Sequence, residues 1–132
     1  MSGAGAAHRH ALDRLRHICL GYPESEERET WGQPTFRVRG KIFAMFGITD
    51  DESPTAVTTL KSTLDEQRSL LATGHPFFYP SYVGSKGWIG VVLDDATDWT
   101  EIAELVDDSY RAVAPSPLIA RLRDLDHLPP AL

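Results

Sequence analysis

Cysteine is almost absent from this chain. Cys19 is the only one in 132 residues, so neither an intramolecular disulfide nor a cysteine-based zinc site can form. A lone thiol within a helical apolar pattern reads as a small buried hydrophobe in a reducing compartment. Long apolar runs are also missing, and nothing approaches the roughly 18 residues of a membrane span. The opening M-S-G-A-G-A-A lacks the charged and apolar regions of a signal peptide. The expectation is a soluble, cytoplasmic protein with no membrane partner.

Catalytic groupings are equally scarce. No G-x-x-x-x-G-K-[ST] loop occurs, which leaves nucleotide cradling of that kind without support. His8, His10 and His17 crowd the N-terminus, His127 lies near the C-terminus, and only His75 borders a junction between elements. Ser85 beside Lys86 lacks the surroundings of a Ser-Lys hydrolase. The chain is therefore expected not to be an enzyme and to need no cofactor. Positive charge is short as well: 13 Lys+Arg against 19 Asp+Glu give a net charge of −6, which opposes long-range attraction to phosphate backbones. That charge is uneven. Asp94 to Asp108 holds acids and no base, whereas Arg37, Arg39 and Lys41 fall close together without an acid.

What is present suffices for one domain over residues 1–132, with a hydrophobic content of 42%. Loose tails are expected at about 1–8 and 127–132. Ala11, Leu12, Leu15, Ile18 and Cys19 recur at helical spacing, and Gly21 and Pro23 end that helix. Glu24 to Thr30 reads as either a loop or a charged edge strand. Thr35 to Arg39 alternates, with Phe36 and Val38 on one face and Thr35, Arg37 and Arg39 on the other. After a reversal at Gly40, the apolar Ile42 to Phe46 runs antiparallel through the sheet interior.

A turn at Asp50 to Pro54 leads to a further strand, Ala56 to Lys61. Thr63 and Glu66 form a capping box for a short helix whose apolar side is Leu64, Leu70 and Leu71, and Gly74 ends it. Phe77 to Tyr79 and Trp88 to Leu93 read as strands around a loop from Pro80 to Gly87. Asp98 with Glu101 starts a longer helix carrying Trp99, Ile102, Ala103, Val106, Tyr110 and Val113 on one side. Pro115 and Pro117 break it before a last segment, Leu118 to Leu125, and a tail from Leu128 to Leu132. This order predicts an α+β fold, a single-domain antiparallel sheet with N-terminal and C-terminal helices layered on it.

Three motifs, W-G-Q-P-T-F from Trp31, R-G-K-I-F from Arg39 and Y-V-G-S-K-G-W from Tyr82, resemble the MmcQ/YjbR family of small bacterial proteins. The resemblance spans roughly Leu12 to Val113 and implies the same sheet-and-helix architecture. Members of that family have been compared with the frataxin relative CyaY and with the double-wing DNA-binding domain of the phage factor MotA. The family is usually labelled DNA-binding, which makes DNA the implied partner; it supplies no catalytic residues to carry across. The CyaY comparison raises iron, yet the first helix here carries Arg9, Arg14 and Arg16 with Asp13 as its only acid. The later acids spread over several helix faces, and no metal site is expected.

Two candidate sites follow. Arg37 and Arg39 on one strand face, with Lys41 across the turn, form a basic hairpin suited to phosphate, and Lys86 is a secondary contact. A solvated strand face is the alternative reading. Trp31, Tyr79, Tyr82 and Trp88 form an aromatic and glycine-rich cluster that can stack a base beside Lys86, or hold a small molecule or a protein partner instead. The same aromatics and glycines can equally serve to hold a loop on the sheet.

Overall fold

The computed structural model describes residues 2–124; the C-terminal tail expected from about residue 127, and Leu125, lie outside them. The first helix, α1, spans Ser2–Cys19, so residues 2–8, expected as a loose tail, continue the helix. A turn through Gly21 and Pro23 leads into six strands: β1 Ser25–Thr30, β2 Gln33–Val38, β3 Lys41–Ile48, β4 Ala56–Leu60, β5 Phe77–Phe78 and β6 Ile89–Leu93. Helix α2, Leu64–Thr73, lies between β4 and β5, and α3, Trp99–Val113, and α4, Ser116–Asp124, follow β6. The sheet order is β1-β2-β3-β4-β6-β5, antiparallel throughout. The expected α+β architecture is therefore the one observed.

Both early hairpins have two-residue turns with positive φ at each position. Thr30 pairs with Gln33 around Trp31 (φ 57°) and Gly32 (φ 78°), and Val38 pairs with Lys41 around Arg39 (φ 52°) and Gly40 (φ 81°). Positive φ at both centres is the requirement of a type I′ turn, whose twist matches that of the flanking strands. Arg39 is thus a turn residue and does not share a strand face with Arg37, as simple alternation had suggested. β1, left open between loop and strand by its composition, is an edge strand whose charged side chains discourage further pairing.

The helices cover one side of the sheet. Phe36, Val38, Ala44, Phe46, Leu60, Ile89 and Val91 meet Leu15 and Ile18 of α1, Ile102, Val106 and Tyr110 of α3, and Leu118 and Leu122 of α4 in one core. The Tyr110 ring stands perpendicular to Phe43 at 5.2 Å and lies 4.6 Å from Tyr22, which also meets Phe43 edge-on at 6.3 Å, so the three rings form a cluster. The hydroxyl of Tyr110 donates to the Pro23 carbonyl, so the aromatic polar tip is satisfied inside the core. A register shift between β2 and β3 places an extra residue, Phe43, in β3. Its carbonyl accepts from the buried Ser109 hydroxyl of α3, which also receives the Lys61 N–H at the end of β4. One serine thereby ties the long helix to two strands.

Several side chains depart from the expected pattern. Thr35, placed by alternation on a solvent face, is buried because its hydroxyl donates to the Arg28 carbonyl on β1. Of the expected apolar side of α2, Leu70 and Leu71 pack against the core but Leu64 is exposed, and the buried position belongs to Gln67. Thr63 caps α2 and Asp98 caps α3 as their spacings predict, each accepting from backbone N–H groups of the first turn. Cys19 is fully buried, and desolvation pushes its thiol well above the ordinary value, which leaves it un-ionised and unreactive.

Candidate functional site

Among the described residues, no helix packs on the other side of the sheet. Its register places Glu26, Arg28 and Thr30 of β1, Gln33, Thr35 and Arg37 of β2, Met45 and Gly47 of β3, Val57 and Thr59 of β4, and Gly90 and Val92 of β6 on this open face. Phe78 of β5 lies over Gly90, where a β-carbon would overlap its ring. A groove of about 510 Å³ crosses this face, floored by Gln33, Met45, Val57, Thr59 and Phe78. Trp31 and Tyr82 stand among its lining residues, Trp31 from the β1–β2 turn and Tyr82 from the loop after β5. No charged side chain lines it.

Trp31 is 96% exposed and Tyr82 95% exposed, and both occupy left-handed backbone, at φ 57° and 66°. Left-handed φ costs a bulky L-residue roughly 1–2 kcal/mol. Neither local conformation nor burial accounts for an aromatic residue at either position. Packing among the described residues explains neither side chain.

The loop bearing Tyr82 is anchored from beneath. Gln67 donates both amide hydrogens, 2.7 Å each, to the carbonyls of Gly84 and Trp88. Tyr79 lays its ring across Gly84, and Trp88 is buried with the Lys61 ammonium 5.8 Å from its ring centre. The structure therefore joins Trp31 and Tyr82 in one groove and separates Tyr79 and Trp88 from it. Tyr79 and Trp88 hold the loop, the alternative role weighed for the aromatic cluster.

The basic hairpin divides in a similar way. Arg39 makes a two-point contact with Glu24, at 2.6 and 3.2 Å, and Arg121 approaches the same carboxylate at 3.8 Å. That hydrogen bond from Arg39 holds the Glu24 carboxyl below the ordinary value, and the charge of Arg39 is correspondingly spent. Arg37 differs. Its guanidinium donates to the hydroxyls of Thr30 (2.8 Å) and Thr35 (3.2 Å) and, at 3.4 Å, to the Gly40 carbonyl. Those acceptors are neutral; Arg37 is held on the open face beside the turn that carries Trp31, opposite Glu26 in the β1–β2 register, and makes no ion pair among the described residues.

Lys41 opens β3 and Lys86 lies in a short 3₁₀ turn after Tyr82; both are exposed, and neither lines the groove. Among the described residues no group of three or more His, Cys, Asp or Glu side chains is placed to hold a metal ion. No helix among them is long and apolar enough to cross a membrane. His75 lies 3.7 Å from Asp94 at the surface. Sequence reasoning missed Gln33, Met45, Val57, Thr59 and Phe78; the strand alternation of Val57 and Thr59 was the one available sign that they share a face.

Fold and site together define a small α+β domain that layers its helices on one side of an antiparallel sheet and leaves an open groove on the other. A family model described as YjbR matches residues 20–112, and the chain belongs to the YjbR family. Among solved structures it is similar to Deinococcus radiodurans protein DR2400, which carries the family-model domain DUF419. The two are 24% identical over 87% of each chain, with a TM-score of 0.67. It is also similar to a protein from Pseudomonas syringae, at 19% identity and a TM-score of 0.58, over 67% of this chain and 86% of the other. These are likenesses of fold. No curated protein matches the chain.

Proposed function

We propose that this protein is a non-enzymatic module that binds single-stranded DNA on the open face of its sheet. The observation that carries the reading is the pair Trp31 and Tyr82, almost wholly exposed on left-handed backbone in the lining of one uncharged groove. Aromatic side chains on an open sheet are stacking platforms for unpaired bases, at about 1–3 kcal/mol per base. Arg37 supports the reading as a pre-positioned cation for a phosphate next to the stacked base. Lys41 and Lys86 add further positive charge nearby in the chain, whereas Arg39 is committed to Glu24. Stacking and phosphate contact need no reacting group, which fits a site without a general acid or base.

A fluorescent dodecanucleotide titrated into the protein, with anisotropy and quenching of Trp31 as readouts, tests this. Binding should weaken about 5- to 100-fold in Trp31→Ala and in Tyr82→Ala, as expected for the loss of one stacked base each. With two or three phosphates neutralised, log K should fall against log salt with a slope of about −1.4 to −2.1. Arg37→Ala and Lys41→Ala should reduce that slope, and Arg39→Ala should leave it unchanged. Absence of binding at low salt overturns the reading. A second reading, a neutral small molecule or a protein segment in the same groove, is favoured by the net charge of −6 and the uncharged lining. A slope near zero with quenching retained selects it.

A further inference from the structure

The groove lined by Trp31 and Tyr82 does not take up the whole open face. Beyond Val57 and Phe78, which wall both, lies a second hollow of about 480 Å³ that also takes in Val92, His75, Asp51 and Asp94. It sits at the end of the sheet where β3 passes into β4 and β6 stops, since Ile48 pairs with Ala56 and Ala56 with Leu93. The two hollows differ in charge. The first is uncharged, with the Arg37 guanidinium bonded to Thr30 beside the Trp31 turn. The second holds two carboxylates. Asp51 accepts the Thr49 hydroxyl at 3.2 Å and the Ser53 N–H at 3.1 Å, and Asp94 accepts the Ala96 N–H at 2.9 Å. Those contacts fix both carboxylates in place without neutralising them. His75 approaches Asp94 at 3.7 Å, and neither acid meets a lysine or an arginine among the described residues. The sequence supplies none nearby, for no lysine or arginine occurs from Ile42 to Leu60 or from Gly87 to Tyr110.

We propose that this acidic hollow ends the nucleic-acid track, so that the open face takes a short single-stranded segment of about two to four nucleotides, one on each ring and one to either side. This rests on the single-strand reading of the face. A base alone would suit the apolar walls of Val57, Phe78 and Val92, but it brings its phosphate with it. A phosphate about 8 Å from one carboxylate in water is disfavoured about 2-fold at low salt, and two carboxylates multiply to about 4-fold. Each nucleotide laid over the β3–β4 turn would add that repulsion with no cation to offset it. At the Trp31 end the opposite holds, because Arg37 is already oriented for a phosphate. The footprint therefore lies at or below the lower end of the roughly 4–16 nucleotides that a single-strand-binding OB fold covers.

Unlabelled thymidine oligomers of two, four, six and twelve nucleotides, competing with the labelled dodecanucleotide for the full chain at low salt and about pH 8, test the limit. Once the number of binding registers on each oligomer is divided out, affinity should rise from two to four nucleotides and stay level from four to twelve. Asp51→Asn/Asp94→Asn keeps the acceptors that hold the two turns and removes both charges. In that variant the ratio of twelve-nucleotide to four-nucleotide affinity should rise about 4-fold. Glu104→Gln, exposed on α3 on the helical side, should leave the ratio unchanged. Affinity that climbs steadily to twelve nucleotides in the natural protein overturns the limit, and so does a ratio that Asp51→Asn/Asp94→Asn does not move. Either result leaves the stacking reading standing. Failure of every oligomer to bind overturns both.

Discussion

Replacement of Gln67 by methionine keeps the length and nearly the volume of the side chain and removes both of its donors. The Gln67 amide bonds to the Gly84 and Trp88 carbonyls at the two ends of the turn that follows Tyr82. Two neutral amide–carbonyl bonds contribute about 1–3 kcal/mol together, and a buried carbonyl left without its donor adds about 1 kcal/mol. The Gly84 carbonyl retains the Gly87 N–H at 3.0 Å, so the second cost falls mainly on Trp88. Gln67→Met should therefore destabilise the protein by about 2–4 kcal/mol, a fall in thermal midpoint of roughly 8–16 °C for a domain of this size. Urea unfolding followed by tryptophan fluorescence measures the first quantity. Amide hydrogen exchange locates it, because Gly87 and Trp88 should exchange faster while β3 and β4 open only with global unfolding. Oligonucleotide binding should weaken with the loop, since Tyr82 loses its support. A cost below about 0.5 kcal/mol, or unchanged exchange at those two amides, would refute the claim that Gln67 holds the loop.

Three further outcomes are expected. Ser109→Ala leaves the Phe43 carbonyl and the Lys61 N–H without their shared partner and should cost about 2–4 kcal/mol in urea unfolding, whereas Ser109→Thr should fail to restore it because the site is fully buried. Gly90→Ala should drive the Phe78 ring off the sheet, seen as a loss of the ring-current shifts that Phe78 imposes on Gly90 and as a destabilisation of about 1–3 kcal/mol. For Glu24, whose carboxyl is lowered chiefly by its hydrogen bond from Arg39, the linkage sign is fixed: the stabilisation is present above the unfolded-state pKa and is lost as pH falls through the folded-state value. Its side-chain carbon resonance should titrate at lower pH in the natural protein than in Arg39→Ala, and identical midpoints would refute the pairing.

Periodicity in the sequence was enough to place the sheet, its helices and both capping residues, because each rests on interactions between near neighbours in the chain. Phe36 and Val38, or Ile102 and Val106, face the core by local spacing alone. The site was legible only in part. Trp31 and Tyr82 were identified by type, but their meeting in one groove depends on the order β4-β6-β5, which no local pattern encodes. Trp88 looked equivalent to them, and only the long-range contacts of Lys61 and Gln67 give it a structural role. Arg39 looked equivalent to Arg37 because alternation was extended one residue too far into a turn. Its partner, Glu24, sits fifteen positions earlier and becomes a neighbour only when β1 pairs with β2.

The two exposed rings have a consequence for how this domain can change. Trp31 sits in a two-residue hairpin turn and Tyr82 in a loop held from below by other residues, so neither side chain contributes to the packing that keeps the protein folded. The contact surface and the scaffold are thus assigned to separate sets of positions. On the binding role proposed above, a new residue at 31 or 82 alters what the open face holds while the core beneath it is left as it was, so that chains with this fold can differ in ligand while matching in stability.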